Sequence, residues 1–129
     1  MVCVDTCFLV ALERREGGAL EKIRELADRG EVVYITAVSV SEFYRGAYGS
    51  RDRVKALRDA RELLALFAVL SLDYESCRLW GELAEALKSG GIGDRDLFVA
   101  SIALVNRQTI ITGNRKHFER VPGLVVEGW

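Results

Sequence analysis

Four stretches of this chain place oxygen-bearing side chains where an apolar run gives way to a new element. Asp5 and Thr6 follow "VCV" at 2–4, and Glu42 lies in "AVSVSEF" beyond "VVYIT" at 32–36. Asp94 and Asp96 open "DRDLFVASIA", and Thr112 and Asn114 stand at the end of "TIIT" at 109–112. A single acid at such a place has an ordinary explanation. At a helix N-cap or first turn it meets unpaired backbone N–H groups and the positive end of the helix dipole, which contributes about 0.3–1 kcal/mol. Glu42 is less easily explained this way, because Val38 and Phe43 direct its segment toward apolar packing. Several carboxylates brought together repel one another and raise each other's pKa unless a cation sits among them. A hard divalent ion relieves that repulsion, and oxygen ligands with no His or Cys nearby point to Mg²⁺ (or Mn²⁺) rather than zinc. Such ions keep waters, can activate one as a nucleophile and neutralise charge on a phosphoryl oxygen, so phosphodiester hydrolysis is the natural chemistry.

That convergence requires a scaffold that brings distant segments to one edge. Short β-rich runs recur at 2–4, 32–36, 67–72, 109–112 and 124–128. Between them lie helical patterns: Leu20, Ile23, Leu26 and Ala27; Val54, Leu57, Leu63, Leu64 and Leu66; and Cys77, Trp80, Leu83, Ala84 and Leu87, the last stopped by "SGG" at 89–91. Ser39 and Ser41, with Glu42, open a further helix. Strands alternating with helices imply an α/β fold, an α/β/α sandwich with a mostly parallel, roughly five-stranded sheet. In such sheets the ligand crevice lies outside the carboxyl ends of the strands, where Asp5, Glu42, Asp96 and Asn114 would meet. Asp94 and Asp96 are two apart, about 200° around a helix, so both approach one ion only from a position at or before its first turn.

The totals agree with one domain spanning 1–129. At 129 residues, half apolar and 29% charged, the chain has globular composition. A net charge of −1 does not advertise a nucleic-acid partner, so charge is read locally. Arg45 to Arg61 holds six basic residues against Asp52 and Asp59, read either as a solvated helix face with i,i+4 pairs or as a phosphate- or partner-facing patch. Cys3, Cys7 and Cys77 form no C-x-x-C and suggest neither a disulfide framework nor a zinc knuckle; Cys3 reads as a core residue. "MVCVD" has no basic leader, and no apolar run approaches the roughly 20 residues of a membrane span, so a cytoplasmic protein with no membrane role is expected.

Four blocks, "VDTCFLVAL" at 4–12, "AVSVSEFYRG" at 37–46, "IGDRDLFVASIAL" at 92–104 and "TGNRKHFERVPGLVVEGW" at 112–129, resemble in order and spacing the motif blocks of PIN-domain proteins, closest to the VapC-type toxins of toxin–antitoxin modules. The resemblance covers essentially the whole chain. It implies a metal-dependent endoribonuclease, with an RNA substrate, a cognate antitoxin as partner and a homodimeric state. It also implies Asp5, Glu42 and Asp96 as ligands of Mg²⁺ or Mn²⁺, with Asp94 auxiliary to Asp96. Asn114 falls where many relatives have an acid, and His117 where the toxin subgroup has an Asp, so the number of ions is open. Thr6 and Thr112 either bond the carboxylates or close local backbone turns. Arg95, Arg115 and Arg45 are candidates for RNA phosphate contact, or pair with nearby acids. His117, the only histidine, is either part of the site or a plain surface residue.

Two other classes compete. A phosphatase of the haloacid dehalogenase type would use Asp5 as nucleophile, but it needs a second Asp two residues on, where this chain has Cys7. A catalytically weak PIN-like RNA- or protein-binding module is favoured by Asn114 and His117, and in it the basic segment would matter more than the acids.

Overall fold

A computed structural model describes residues 1–129. Its elements are β1 (Val2–Val4), α1 (Thr6–Glu13), α2 (Gly17–Asp28), β2 (Val33–Thr36), α3 (Ala37–Tyr48), α4 (Arg53–Leu64), β3 (Ala68–Leu70), α5 (Tyr74–Ala86), α6 (Asp94–Val105), β4 (Thr109–Ile111), α7 (Arg115–Phe118) and β5 (Val126–Glu127). The strands form one sheet in the order β3-β2-β1-β4-β5, and every pair is parallel. All five expected strands are present, and the sheet is entirely rather than mostly parallel.

The alternation of side chains along each strand explains the sandwich. Val2, Val4, Ile35 and Ile111 face a core shared with α1, α2, α3 and α4. Cys3, Ile110 and the partly buried Tyr34, Leu70 and Val126 face the opposite core, shared with α5, α6 and α7. Because both faces are covered, the strands read as near-continuous apolar runs. The chain moves outward from β1 to β2 and β3, then crosses the other face through α5 and α6 to return on the far side of β1 as β4. That reversal sets a crevice between the carboxyl ends of β1 and β4.

Several local expectations change. The cap of α3 is Thr36, whose side chain accepts from the Ser39 N–H at 3.1 Å; Ser39 and Ser41 lie inside the helix, because the strand passes directly into it. Helix α5 ends at Ala86, ahead of "SGG", and Gly91 takes the positive φ of 76° in the turn beyond. Val54 and Leu66, read as core-facing, are 81% and 72% exposed. Val54 lies in the first turn of α4, and Leu66 lies past its end.

Trp80 of α5 stacks on Phe98 of α6, with ring centroids 4.7 Å apart, and its indole N–H donates to the Asp94 carbonyl at 3.4 Å. These contacts fix the first turn of α6 against α5. Trp80→Ala is expected to lower stability by about 1–3 kcal/mol through lost packing and stacking. Urea unfolding measures it; an unchanged midpoint would show that the stack does not hold the helix.

Candidate metal centre at the carboxyl ends of the strands

Asp5 ends the central strand and caps α1. Its backbone is extended, its Oδ1 accepts from the Phe8 N–H at 3.0 Å, and its Oδ2 accepts the Thr112 hydroxyl from the neighbouring strand end. The residue is only 6% exposed. The two oxygens are divided between the helix and the end of β4. Thr112 is itself fully buried and accepts the Asn114 N–H at 2.9 Å. Its hydroxyl therefore ties the turn after β4 to the end of β1.

The other acids arrive on helices. Glu42, one turn into α3, accepts the Thr6 hydroxyl at 3.2 Å and pairs with Arg95 at 3.3 Å. Gly93 is the N-cap of α6 without a side-chain bond, so Asp94 and Asp96 occupy the first turn rather than the cap. There both meet the positive end of the helix. Glu42, Gly93, Asp94, Arg95 and Asp96 line an open hollow of about 430 Å³ with no apolar residue among them. An apolar hollow of about 480 Å³ lies at the opposite, amino ends of β2 and β3, where Glu31 is its only charged group. It is far from the acids.

Two residues that sequence reading left outside the donor set belong beside it. Asp96 Oδ2 lies 3.2 Å from His117 Nδ1, and that same ring nitrogen is 2.9 Å from the Asn114 side-chain nitrogen. Burial raises the Cys7 thiol, and the charges of Asp5, Asp96 and Glu42, in that order, raise it further. The expectation of oxygen donors with no His or Cys nearby is therefore corrected. The sequence separation of 21 between Asp96 and His117 is closed by β4 and the short α7, which no local spacing reveals. Cys7 stands two positions after Asp5, and its place on α1 was the available signal. Cys3, by contrast, is buried in the core with its thiol pushed up to about 12, first by burial and then by the Asp5 charge.

Of the candidate cations, only Arg95 lines the hollow. Arg95 is exposed and paired with Glu42, while Arg115 is exposed and paired with Glu119 at 3.4 Å. Arg45 is exposed, three residues after Glu42 on α3 and so on the same side of that helix. Farther along, the basic segment behaves largely as a solvated helix face: Asp52 caps α4, and Lys55 pairs with Asp59 at 3.0 Å.

A divalent cation fits the chemistry of this donor set. Burial pushes the Asp5 carboxyl above its ordinary range; the bonds from Thr112 and Phe8 pull it back, and the Asp96 charge pushes it up again. A cation beside these acids would offset both the burial of Asp5 and the like charge of Asp96. No three His, Cys, Asp or Glu side chains are already drawn into ligating geometry. Each acid is held instead by its own protein partner: Thr112, Arg95 or His117.

An all-parallel α/β/α sandwich with acids gathered at its switch point defines the class of protein. The PIN domain model matches residues 2–124, and the chain belongs to that family. It is 28% identical to ribonuclease VapC1 of Haemophilus influenzae over 129 residues, covering 98% of this chain and 96% of that protein. It is 27% identical to ribonuclease VapC2 of Rickettsia felis over 107 residues, covering 81% of this chain and 80% of that one. Among solved structures it is similar to Rickettsia felis VapBC2 bound to a promoter DNA fragment, with a TM-score of 0.90, 25% identity and coverage of 100% and 99%. It also resembles VapBC-1 of nontypeable Haemophilus influenzae, with a TM-score of 0.86, 26% identity and coverage of 100% and 98%. No helix is long and apolar enough to cross a membrane.

The Asp5 shift has a sign that can be tested. Its folded pKa lies above the unfolded value near 3.9, so the folded state holds the proton more tightly. The stability this contributes is complete below about pH 4 and is lost as pH rises through the folded pKa. Asp5→Asn cannot ionise, so without added metal it is expected to melt higher than the wild type near pH 7, with the gain vanishing near about pH 3. Calorimetry at both pH values checks this; a variant less stable at both would contradict burial as the dominant effect.

Proposed function

We infer that the protein is an endoribonuclease, the toxin of a toxin–antitoxin pair, and that it hydrolyses RNA phosphodiester bonds with Mg²⁺ or Mn²⁺. What supports the site assignment is that the Thr6 hydroxyl next to Asp5 bonds Glu42 of α3, and that the charges of Asp5, Asp96 of α6 and Glu42 all reach the Cys7 thiol. In this reading those three carboxylates hold the cation. When bound, it supplies a polarised water and neutralises charge on the scissile phosphate.

The protein's own groups do the rest. Thr112 aims one oxygen of Asp5, and Thr6 aims one oxygen of Glu42. Asn114, anchored through its backbone N–H to Thr112, presents an amide that can orient a water without adding charge. Asp94, in the same first turn as Asp96, adds a second, auxiliary acid to the hollow. Arg95, which pairs with Glu42, and the exposed Arg45 and Arg115 are read as contacts to phosphate oxygens of the RNA. Arg95 would exchange Glu42 for phosphate as substrate enters. The relatives named VapC ribonucleases and the solved VapBC assemblies support an antitoxin protein as partner. A homodimer accompanies this reading.

A binding module without catalysis is the second reading, favoured by Asn114 in place of an acid and by the ion pair that occupies Glu42. Purified, antitoxin-free protein incubated with structured and unstructured RNAs in Mg²⁺, Mn²⁺ or EDTA separates the two. Cleavage is expected with metal, lost in EDTA, and reduced roughly a hundredfold or more in Asp96→Asn, because an ion's charge stabilisation is worth several kcal/mol. Undiminished cutting by Asp5→Asn and Asp96→Asn would refute the site. Salt-sensitive RNA binding without cleavage by folded wild type would favour the module.

A further inference from the structure

The two groups around His117 Nδ1 do not agree on a proton. Its Nδ1 lies 2.9 Å from the Asn114 Nδ2 and 3.2 Å from Asp96 Oδ2. An amide N–H demands that Nδ1 accept, whereas a carboxylate oxygen demands that it donate, and a single ring nitrogen cannot do both. Turning the Asn114 amide replaces its nitrogen with an oxygen. Then Asp96 Oδ2 and Asn114 Oδ1 each present lone pairs beside the lone pair of His117 Nδ1.

The two spacings suit neighbouring ligands of one cation. Adjacent ligands of an octahedral ion bound at about 2.1 Å stand about 3 Å apart. The two observed separations, 2.9 and 3.2 Å, bracket that value. The His117 and Asp96 side chains are 38% and 39% exposed, so an ion can enter from solvent without opening the core. The ring is carried on the one-turn α7, and the adjacent Phe118 is buried and anchors that turn.

We propose that His117 supplies a nitrogen ligand, through Nδ1, to the cation it shares with Asp96, and that this makes the site select a first-row transition ion over Mg²⁺. The proposal rests on the reading of the acids as a metal centre and specifies which metals that centre takes. Imidazole suits borderline ions, whereas Mg²⁺ favours oxygen and keeps its waters. Asn114 acts as a ligand or positions the ring, and the acids supply the charge.

The test uses the full-length, tag-free chain with Mn²⁺ alone and Mg²⁺ alone as probes, without RNA. Calorimetric titration is expected to show Mn²⁺ bound at least about tenfold more tightly than Mg²⁺, within the range by which ligand environment moves metal affinity. Pulsed electron paramagnetic resonance of the Mn²⁺ complex is expected to show modulation from one directly bound nitrogen. His117 is the only histidine, so growth on ¹⁵N-histidine must convert that modulation from ¹⁴N to ¹⁵N without any substitution. His117→Asp is expected to keep Mn²⁺ binding, lose the modulation and narrow the preference over Mg²⁺. Bound Mn²⁺ that depends on Asp96 but shows no nitrogen, or a nitrogen that survives His117→Asp, would overturn the proposal and leave the metal centre standing. Failure of folded wild type to take up either ion would overturn both.

Discussion

The carboxylate of Asp5 is the constraint around which the fold is arranged. It sits at the end of the central strand, almost removed from water, and its charge must be met by protein groups or by an ion. Helix α1 begins immediately after it, so one oxygen takes up a first-turn N–H. Strand β4 runs parallel beside β1, so the hydroxyl that follows β4 reaches the other. Neither contact offsets its burial fully, and the nearby Asp96 charge adds to the upward shift of its carboxyl.

The reversal of strand order does the positioning. β2 and β4 flank β1, so the segments after three strands open at one edge, and the return across the second face delivers the first turn of α6 to the same place. The Trp80 stack pins that turn from α5, while Thr36 starts α3 without an intervening loop and sets where Glu42 stands. Rigid elements, rather than loops, therefore carry the three acids. Their partners, Thr112, Arg95 and His117, are polar or cationic, so the protein's own groups accommodate the acids.

Much of this was legible from residues alone. Runs such as "VVYIT" and "TIIT" identify strands because a sheet covered on both faces leaves no polar alternation to confuse the pattern. Acids placed directly after such runs point to the carboxyl edge. Helix α1 was harder to read, since "TCFLVALE" buries Phe8, Leu9, Ala11 and Leu12 and has almost no polar stripe to show a helical period. The exposure of Val54 and Leu66 depends on how α4 lies over the sheet, which composition does not encode. The contact of His117 with Asp96 was invisible because it depends on the chain's return through β4 and α7. Whether a lone histidine meets an acid is a tertiary fact.

The central claim is that Asp5, Glu42 and Asp96 share a divalent cation. Crystals of the free protein grown with Mn²⁺ and measured near the manganese absorption edge address it directly. The account predicts an anomalous peak within ligand distance of Asp5 and Asp96, absent from crystals of Asp96→Asn. A fully ordered crevice without a peak at saturating Mn²⁺, or a peak only at other acids on the surface, would contradict it.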